Sequence, residues 1–283
     1  MFALIISINL KYPFRGWGMY SKGQLAARYF SYYLRASNGK GHGMHSPFVF
    51  DFIVNVLNDD RDFYAYTQIE DLRKLLLKNE NIIKVDDFGA GSVNLTSTER
   101  KVSDIARSSL KPKKYAQLLF RMVNYYQPET ILEIGTSLGI TTAYLSMAGK
   151  QSKLITMEGA GTIAAIAKNN FKLLGLCNIE LVKGNFDETL LSVIDQLSTV
   201  NFVFIDGNHR KEPTLQYFEQ LLSITTNDTI IIFDDIHWSG EMEAAWKQIK
   251  KHPQVTCTID LFFIGIVLLR KEFKERQHFM IRY

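Results

Sequence analysis

Beyond Pro128 the chain alternates short apolar runs with amphipathic stretches, and this rhythm constrains the fold more than any other feature. Apolar runs at about 130–134, 153–157, 179–183, 201–206 and 229–234 are separated by segments of helical spacing at about 139–149, 161–174, 187–197 and 212–224. Such a series of βα units calls for a parallel sheet, because each crossover needs a helix to carry the chain back to the same edge. After a further helix at about 239–250, two apolar runs at about 254–260 and 263–270 lie almost end to end. A connection that short cannot hold a crossover, so the last strand must run antiparallel to its predecessor. The expectation is a doubly wound, Rossmann-like α/β fold with a seven-stranded, mostly parallel sheet and an antiparallel last strand.

The first part of the chain reads differently, and the boundary is placed so that 1–110 is an N-terminal helical extension or cap and 111–283 the sheet-bearing domain. Helical spacing of Leu25, Tyr29, Tyr32 and Tyr33 predicts a helix from Ser21 to about Leu34, stopped by Asn38 and Gly39. Ser46-Pro47 reads as an N-cap and first helical residue of a segment through about Leu57. Further helices are expected at about 67–78 and 112–127, with a short strand entering a glycine turn at 82–92. The amphipathic pattern begins only at Tyr20, so Met19 is a candidate start and the first 18 residues an extension outside the fold.

Composition narrows the class. Of 283 residues, 46% are hydrophobic and 22% charged, with 18 Gly and 6 Pro, which excludes disordered and collagenous chains. Two cysteines, Cys177 and Cys257, exclude a disulfide framework and fit a reducing compartment. The opening MFALIISINL is apolar for ten residues only, too short for a span, and no later segment reaches the roughly 18 uncharged apolar residues that a span requires. A cytoplasmic protein without a membrane partner is expected. The net charge of +4 is too small to demand a nucleic-acid partner, although residues 1–50 hold six bases and no acid.

The residues with chemistry gather at the ends of the apolar runs, where doubly wound folds bind ligands. ILEIGTSLG places Glu133, Gly135, Thr136 and Gly139 at the first such end. Glycines there admit close backbone approach, and the following helix offers free N–H groups. Neither GxGxxG nor GK[ST] is present, which weakens dinucleotide and nucleoside-triphosphate readings and suits a ligand with a cationic amino acid part. Glu158 ends the second run, where a carboxylate accepts ribose hydroxyls; Asn185 and Phe186 follow the third and would frame an adenine, with Asp187 capping the next helix. FIDGNHRKE and FDDIHW then supply Asp206, Asn208, His209, Asp234, Asp235 and His237. Three carboxylates in one crevice repel unless a cation lies between them, and oxygen donors favour Mg²⁺ or another hard divalent cation. The alternative is that Asp206 meets cofactor or substrate, Asp234 caps or pairs, and no metal binds. Either histidine suits a general base or a packing role.

In that order, ILEIGTSLG, the acid of MEG, GNFDETL, FIDGNH and FDDIHW resemble the class I S-adenosylmethionine-dependent methyltransferases. The likeness is closest to small-molecule O-methyltransferases of the catechol and caffeoyl-CoA type and their bacterial relatives with a DGxH motif, over about residues 112–270. HGMHSPFVF resembles a segment of uncharacterised bacterial members. The resemblance implies that Glu133, Gly135, Thr136 and Gly139 surround the methionine part of S-adenosylmethionine, Glu158 the ribose, and Asn185 and Phe186 the adenine, with Asp206 also at the cofactor. It implies Asp206, Asp234 and Asp235 as metal ligands; the candidate catalytic residues are Asp206, His209 and His237, either histidine taking the proton if no metal binds. The chain departs at Asp235, where the pattern has Asn, and lacks the expected basic residue near Asp206, leaving His209, Arg210 or Lys211 to serve. The expected reaction is O-methylation of a small-molecule acceptor with divalent-metal assistance. RNA methylation is a second, less favoured reading, with the basic N-terminus, the KPKK stretch at 111–114 and the basic tail meeting phosphate. A non-catalytic, cofactor-binding adaptor is a third. A homodimer is compatible with the sequence, which carries no signal for oligomeric state.

Overall fold

A computed structural model describes residues 19–86 and 97–283. The expectation about the first 18 residues, and the glycine turn expected after the strand at 82, lie outside these residues. The chain runs through α1 (Lys22–Arg35), α2 (Pro47–Phe52), which continues as a π-helical turn over Ile53–Leu57, and α3 (Tyr64–Lys78). Strands β1 (Ile82–Asp86) and β2 (Ser97–Lys101) form an antiparallel pair apart from the main sheet, so the N-terminal region is not wholly helical. Helices α4 (Val102–Ser109) and α5 (Lys113–Tyr126) lead into the alternating half.

That half follows the predicted rhythm: β3 (Thr130–Ile134), α6 (Ile140–Ala148), β4 (Lys153–Glu158), α7 (Gly161–Leu173), β5 (Ile179–Lys183), α8 (Phe186–Asp195), β6 (Val200–Ile205), α9 (Lys211–Leu221), β7 (Thr225–Asp234) and α10 (Gly240–Ile249). The chain ends with β8 (Cys257–Asp260), β9 (Ile264–Leu268) and β10 (Gln277–Met280). The sheet order is β10-β8-β9-β7-β6-β3-β4-β5. Strand β9 runs antiparallel to both β7 and β8, as the short connection requires. The sheet has eight strands, not seven, because β10 returns parallel to β8. Its QHFM follows a run of charged residues and shows no apolar stretch, and main-chain pairing to β8 defines it.

Alternation along the strands divides the core into two layers. Ile131, Leu154, Phe202, Phe204, Ile230 and Ile232 face the layer formed with α3, α5 and α6. Leu132, Ile155, Val203, Ile205, Ile231 and Phe233 face the layer formed with α8, α9 and α10. Helix α1, held at its start by a Ser21/Gln24 capping box, packs Leu25, Tyr32 and Ala36 against Phe262 in the β8–β9 turn. From β3 the chain moves outward to β4 and β5, then crosses back to lay β6 on the other side of β3. Such a switch point opens a crevice beyond the carboxyl ends of β3 and β6.

Candidate functional site

Register and alternation bring the acids together. Ile205 pairs with Phe233 across β6 and β7, so Asp206 and Asp234 follow on adjacent parallel strands. Both continue the series that contains Phe204 and Ile232 and so lean toward the layer covered by the N-terminal segment. Asp235, one residue on, adopts a left-handed conformation, φ 54°, and is not among the clustered ligand atoms. On the other side of β6, Ile134 pairs with Ile205, which sets Gly135 beside Asp206. A Cβ on Gly135 would lie 2.2 Å from the Asp206 carbonyl oxygen, and the residue has φ 109°, so only glycine fits there.

The Asp206 and Asp234 side chains are 17% and 1% exposed, and the cation between them is a lysine. The Lys111 ammonium forms a close ion pair with Asp234 Oδ2 and lies 3.6 Å from Asp206 Oδ2. Lys111 stands in the linker between α4 and α5, 5% exposed, with Phe204 below it at 6.0 Å. On the other flank of Asp206, His209 Nε2 lies 3.5 Å from Oδ1. Ligand atoms of Asp206, His209 and Asp234 all lie within 4.8 Å of one another. His209 therefore completes the group that sequence reasoning assigned to Asp206, Asp234 and Asp235. The donor set alone would suit a hard divalent ion, but with the ammonium inside the cluster the residues present do not fit one. Burial would lower the His209 pKa, yet its hydrogen bond to Asp206 and the charges of Asp235 and Asp206 leave it above 6.5.

His237 lies in a different network. Its Nε2 is 2.8 Å from Asp260 Oδ2 and its Nδ1 3.2 Å from Glu243 Oε1, with the ring stacked on Phe262. Glu243 also receives Tyr20 and Arg28 from the α1 region, each at 2.8 Å. With both nitrogens engaged, His237 ties α1, α10 and β8 together and is not available as the general base the sequence suggested.

The side expected to hold a cofactor begins at Glu133, which faces the same layer as Ile131 and is fully buried. Register sets it opposite Thr156 on β4 and Phe204 on β6. Thr142 and Thr156 hydroxyls donate to its Oε2 at 2.5 and 2.7 Å. Thr156 has then used its proton, so the Thr136 hydroxyl, 2.6 Å away, donates to Thr156. Glu133 Oε1 has no hydrogen-bond partner among the described residues. Burial raises the Glu133 pKa to about 8, against the two threonine bonds. Glu158 accepts from the Ser137 and Ala160 amides at 2.8 and 2.9 Å, with its pKa raised by burial. It thereby joins the loops after β3 and β4.

Gly139 opens α6 at φ 82°, where a Cβ would strike Phe171 at 2.5 Å. Asn185 caps α8 by accepting from the Asp187 amide, so the cap is Asn185 and not Asp187. Asp187 instead accepts from the Tyr217 hydroxyl at 2.6 Å, which in turn receives Asn208 Nδ2 at 3.1 Å. The Phe186 ring lies against Gly207, where a Cβ would be 2.7 Å from it. The glycine of DGNH thus brings the expected adenine-framing ring beside Asp206.

Lys111 is the site residue that the sequence does not point to. The less favoured RNA reading has it, within KPKK, meeting phosphate, whereas it is buried against two carboxylates. In the same stretch Lys114 lies 3.9 Å over the Tyr283 ring. The usable signal was strand alternation, which places Asp206 and Asp234 on one face and leaves a cation to be found in whatever covers it.

Residues 132–236 match the family model described as a methyltransferase domain. Among curated proteins, the chain is 26% identical over 143 residues to an uncharacterised protein, R132, of Acanthamoeba polyphaga mimivirus. The match covers 47% of this chain and 65% of the relative, so the chain spans just under two thirds of that relative's length. Among solved structures, the SAH-bound Podospora anserina methyltransferase PaMTH1 matches with TM-score 0.57 at 12% identity, over 80% of this chain and 97% of that one. A Bacillus cereus O-methyltransferase in complex with SAH matches with TM-score 0.51 at 19% identity, over 75% and 93%. TomG of Streptomyces achromogenes, an O-methyltransferase in complex with SAM, matches with TM-score 0.52 at 15% identity, over 78% and 95%. The fold is that of the class I methyltransferases.

Proposed function

With a methyltransferase domain as the premise, we propose that this chain transfers the methyl group of S-adenosylmethionine to a hydroxyl oxygen of a small molecule. The observation that carries the reading is the joint placement of Asp206, His209 and a buried, half-satisfied Glu133 at the sheet's switch point. S-adenosylmethionine supplies an electrophilic methyl sulfonium, so the protein has to bind, align and deprotonate. The partnerless Glu133 Oε1 suits the ammonium of the methionine part, since an incoming cation restores the ionised form that burial disfavours. On this reading Glu158 accepts the ribose hydroxyls and Phe186 frames the adenine.

Proton removal falls to His209. With Nε2–H directed at Asp206, the Nδ1 lone pair is the basic site, and Asp206 steadies the imidazolium that forms. No step passes through a divalent ion. The acceptor that such a base serves best is a phenolic hydroxyl, whose pKa near 10 is far closer to imidazole than that of an aliphatic alcohol. Release of S-adenosylhomocysteine in a screen of phenols tests the reading and separates it from a non-catalytic adaptor. His209→Ala is expected to lower kcat by about 100-fold or more with S-adenosylmethionine affinity retained. Full activity in that variant would remove His209 from the mechanism. Because His209 titrates above 6.5, kcat/KM should rise through that region and level off on the alkaline side.

A further inference from the structure

We propose that Lys111 is the resident cation of this crevice: its ammonium takes the place between Asp206 and Asp234 that a divalent ion would occupy and closes the site to metal. The proposal rests on reading the crevice as the methyl-transfer site. Two carboxylates end adjacent parallel strands on one face, and Asp234 is so deeply buried that water cannot compensate its charge. A buried carboxylate of that kind needs a cation in contact. Asp206, His209 and Asp234 present donor atoms at mutual distances that a hard divalent ion would span. The ammonium already in contact with Asp234 and near Asp206 would repel an ion entering among them.

The lysine is also held in place. Its neighbours in the linker are fixed by Leu110 N donating to the Ala106 carbonyl at 3.3 Å and Tyr115 N to the Pro112 carbonyl at 3.0 Å. Its stem is covered, and Phe204 lies beneath the ammonium. The cation therefore belongs to the fold. Sequence spacing that resembles a metal-dependent site here describes a site neutralised by a side chain from the preceding linker.

The test is Mn²⁺ titration followed by electron paramagnetic resonance on wild type, Lys111→Gln and Lys111→Arg, with S-adenosylhomocysteine binding measured in parallel on each. Wild type and Lys111→Arg are expected to leave the free Mn²⁺ signal undiminished by any saturable site. Lys111→Gln is expected to bind one Mn²⁺ at least about tenfold more tightly than either. Adding Asp234→Asn to it should abolish the gain. Saturable Mn²⁺ binding at the wild-type crevice, or in Lys111→Arg, overturns the proposal without reference to the Gln variant. A Lys111→Gln protein that binds S-adenosylhomocysteine yet takes up no Mn²⁺ also overturns it. Should that variant be too unstable to purify, its melting temperature in Mn²⁺-supplemented lysate replaces the titration, with a rise expected and none contradicting. Absent S-adenosylhomocysteine binding in wild type counts against the methyltransferase reading and not against the lysine's exclusion of metal.

Discussion

At Glu133, stability and the proposed cofactor binding pull in opposite directions. The carboxyl is completely buried and holds its proton up to about pH 8, against an ordinary value of 4.5. The folded state therefore binds more protons than the unfolded one between those values, and stability falls as pH rises through that window. Above about pH 8 the group is ionised and buried with one oxygen unsatisfied. Glu133→Gln keeps the shape and removes the titration, so its melting temperature should exceed wild type at pH 9 and approach it at pH 5. The same variant should bind S-adenosylmethionine roughly tenfold or more weakly, because it offers no charge to the methionine ammonium. A melting profile parallel to wild type across this range would contradict the assignment. Gly135 stands at the same edge for a different reason: the backbone of Asp206 leaves no room for a Cβ.

Elements differ in how openly the sequence announced them. Strands β3 to β7 and their crossover helices are legible because apolar runs and helical spacing alternate without interruption. Strand β1 is legible as the short strand expected from 82, but β2 and β10 are not, since main-chain pairing defines them and their side chains are polar or mixed. The same limit applies to the site. Asp206, Asp234 and His209 announce themselves by lying at strand ends, but Lys111 reaches Asp234 from 123 residues away and only the docking of α4 and α5 on the sheet brings it there. Helix α1 is held by a similar long-range contact through Glu243, His237 and Asp260. His237→Ala should leave those carboxylates undercompensated and cost roughly 2–4 kcal/mol of stability. Limited proteolysis should then cut the α1 segment faster, while S-adenosylmethionine turnover per folded molecule stays within about threefold of wild type. A collapse of turnover with stability unchanged would return His237 to the catalytic group.

For the molecule as a whole, a sheet common to many chemistries becomes a particular site through what covers it. The carboxyl edge supplies acids from β3, β4, β6 and β7, and the segment before the sheet supplies the cation that makes two of them tolerable in a buried position. Cap and sheet are thus electrostatically one unit, and among the described residues no helix is long and apolar enough to cross a membrane. The central claim is that this crevice holds S-adenosylmethionine through its buried carboxylates and without metal. Calorimetric titration of the purified protein with S-adenosylmethionine in the presence of a chelator tests it most directly, repeated on Glu158→Gln. The account predicts binding at about micromolar Kd in wild type, unchanged when Mg²⁺ replaces the chelator, and about tenfold or more weaker in the variant. No binding in wild type, or binding that appears only with Mg²⁺, would contradict it.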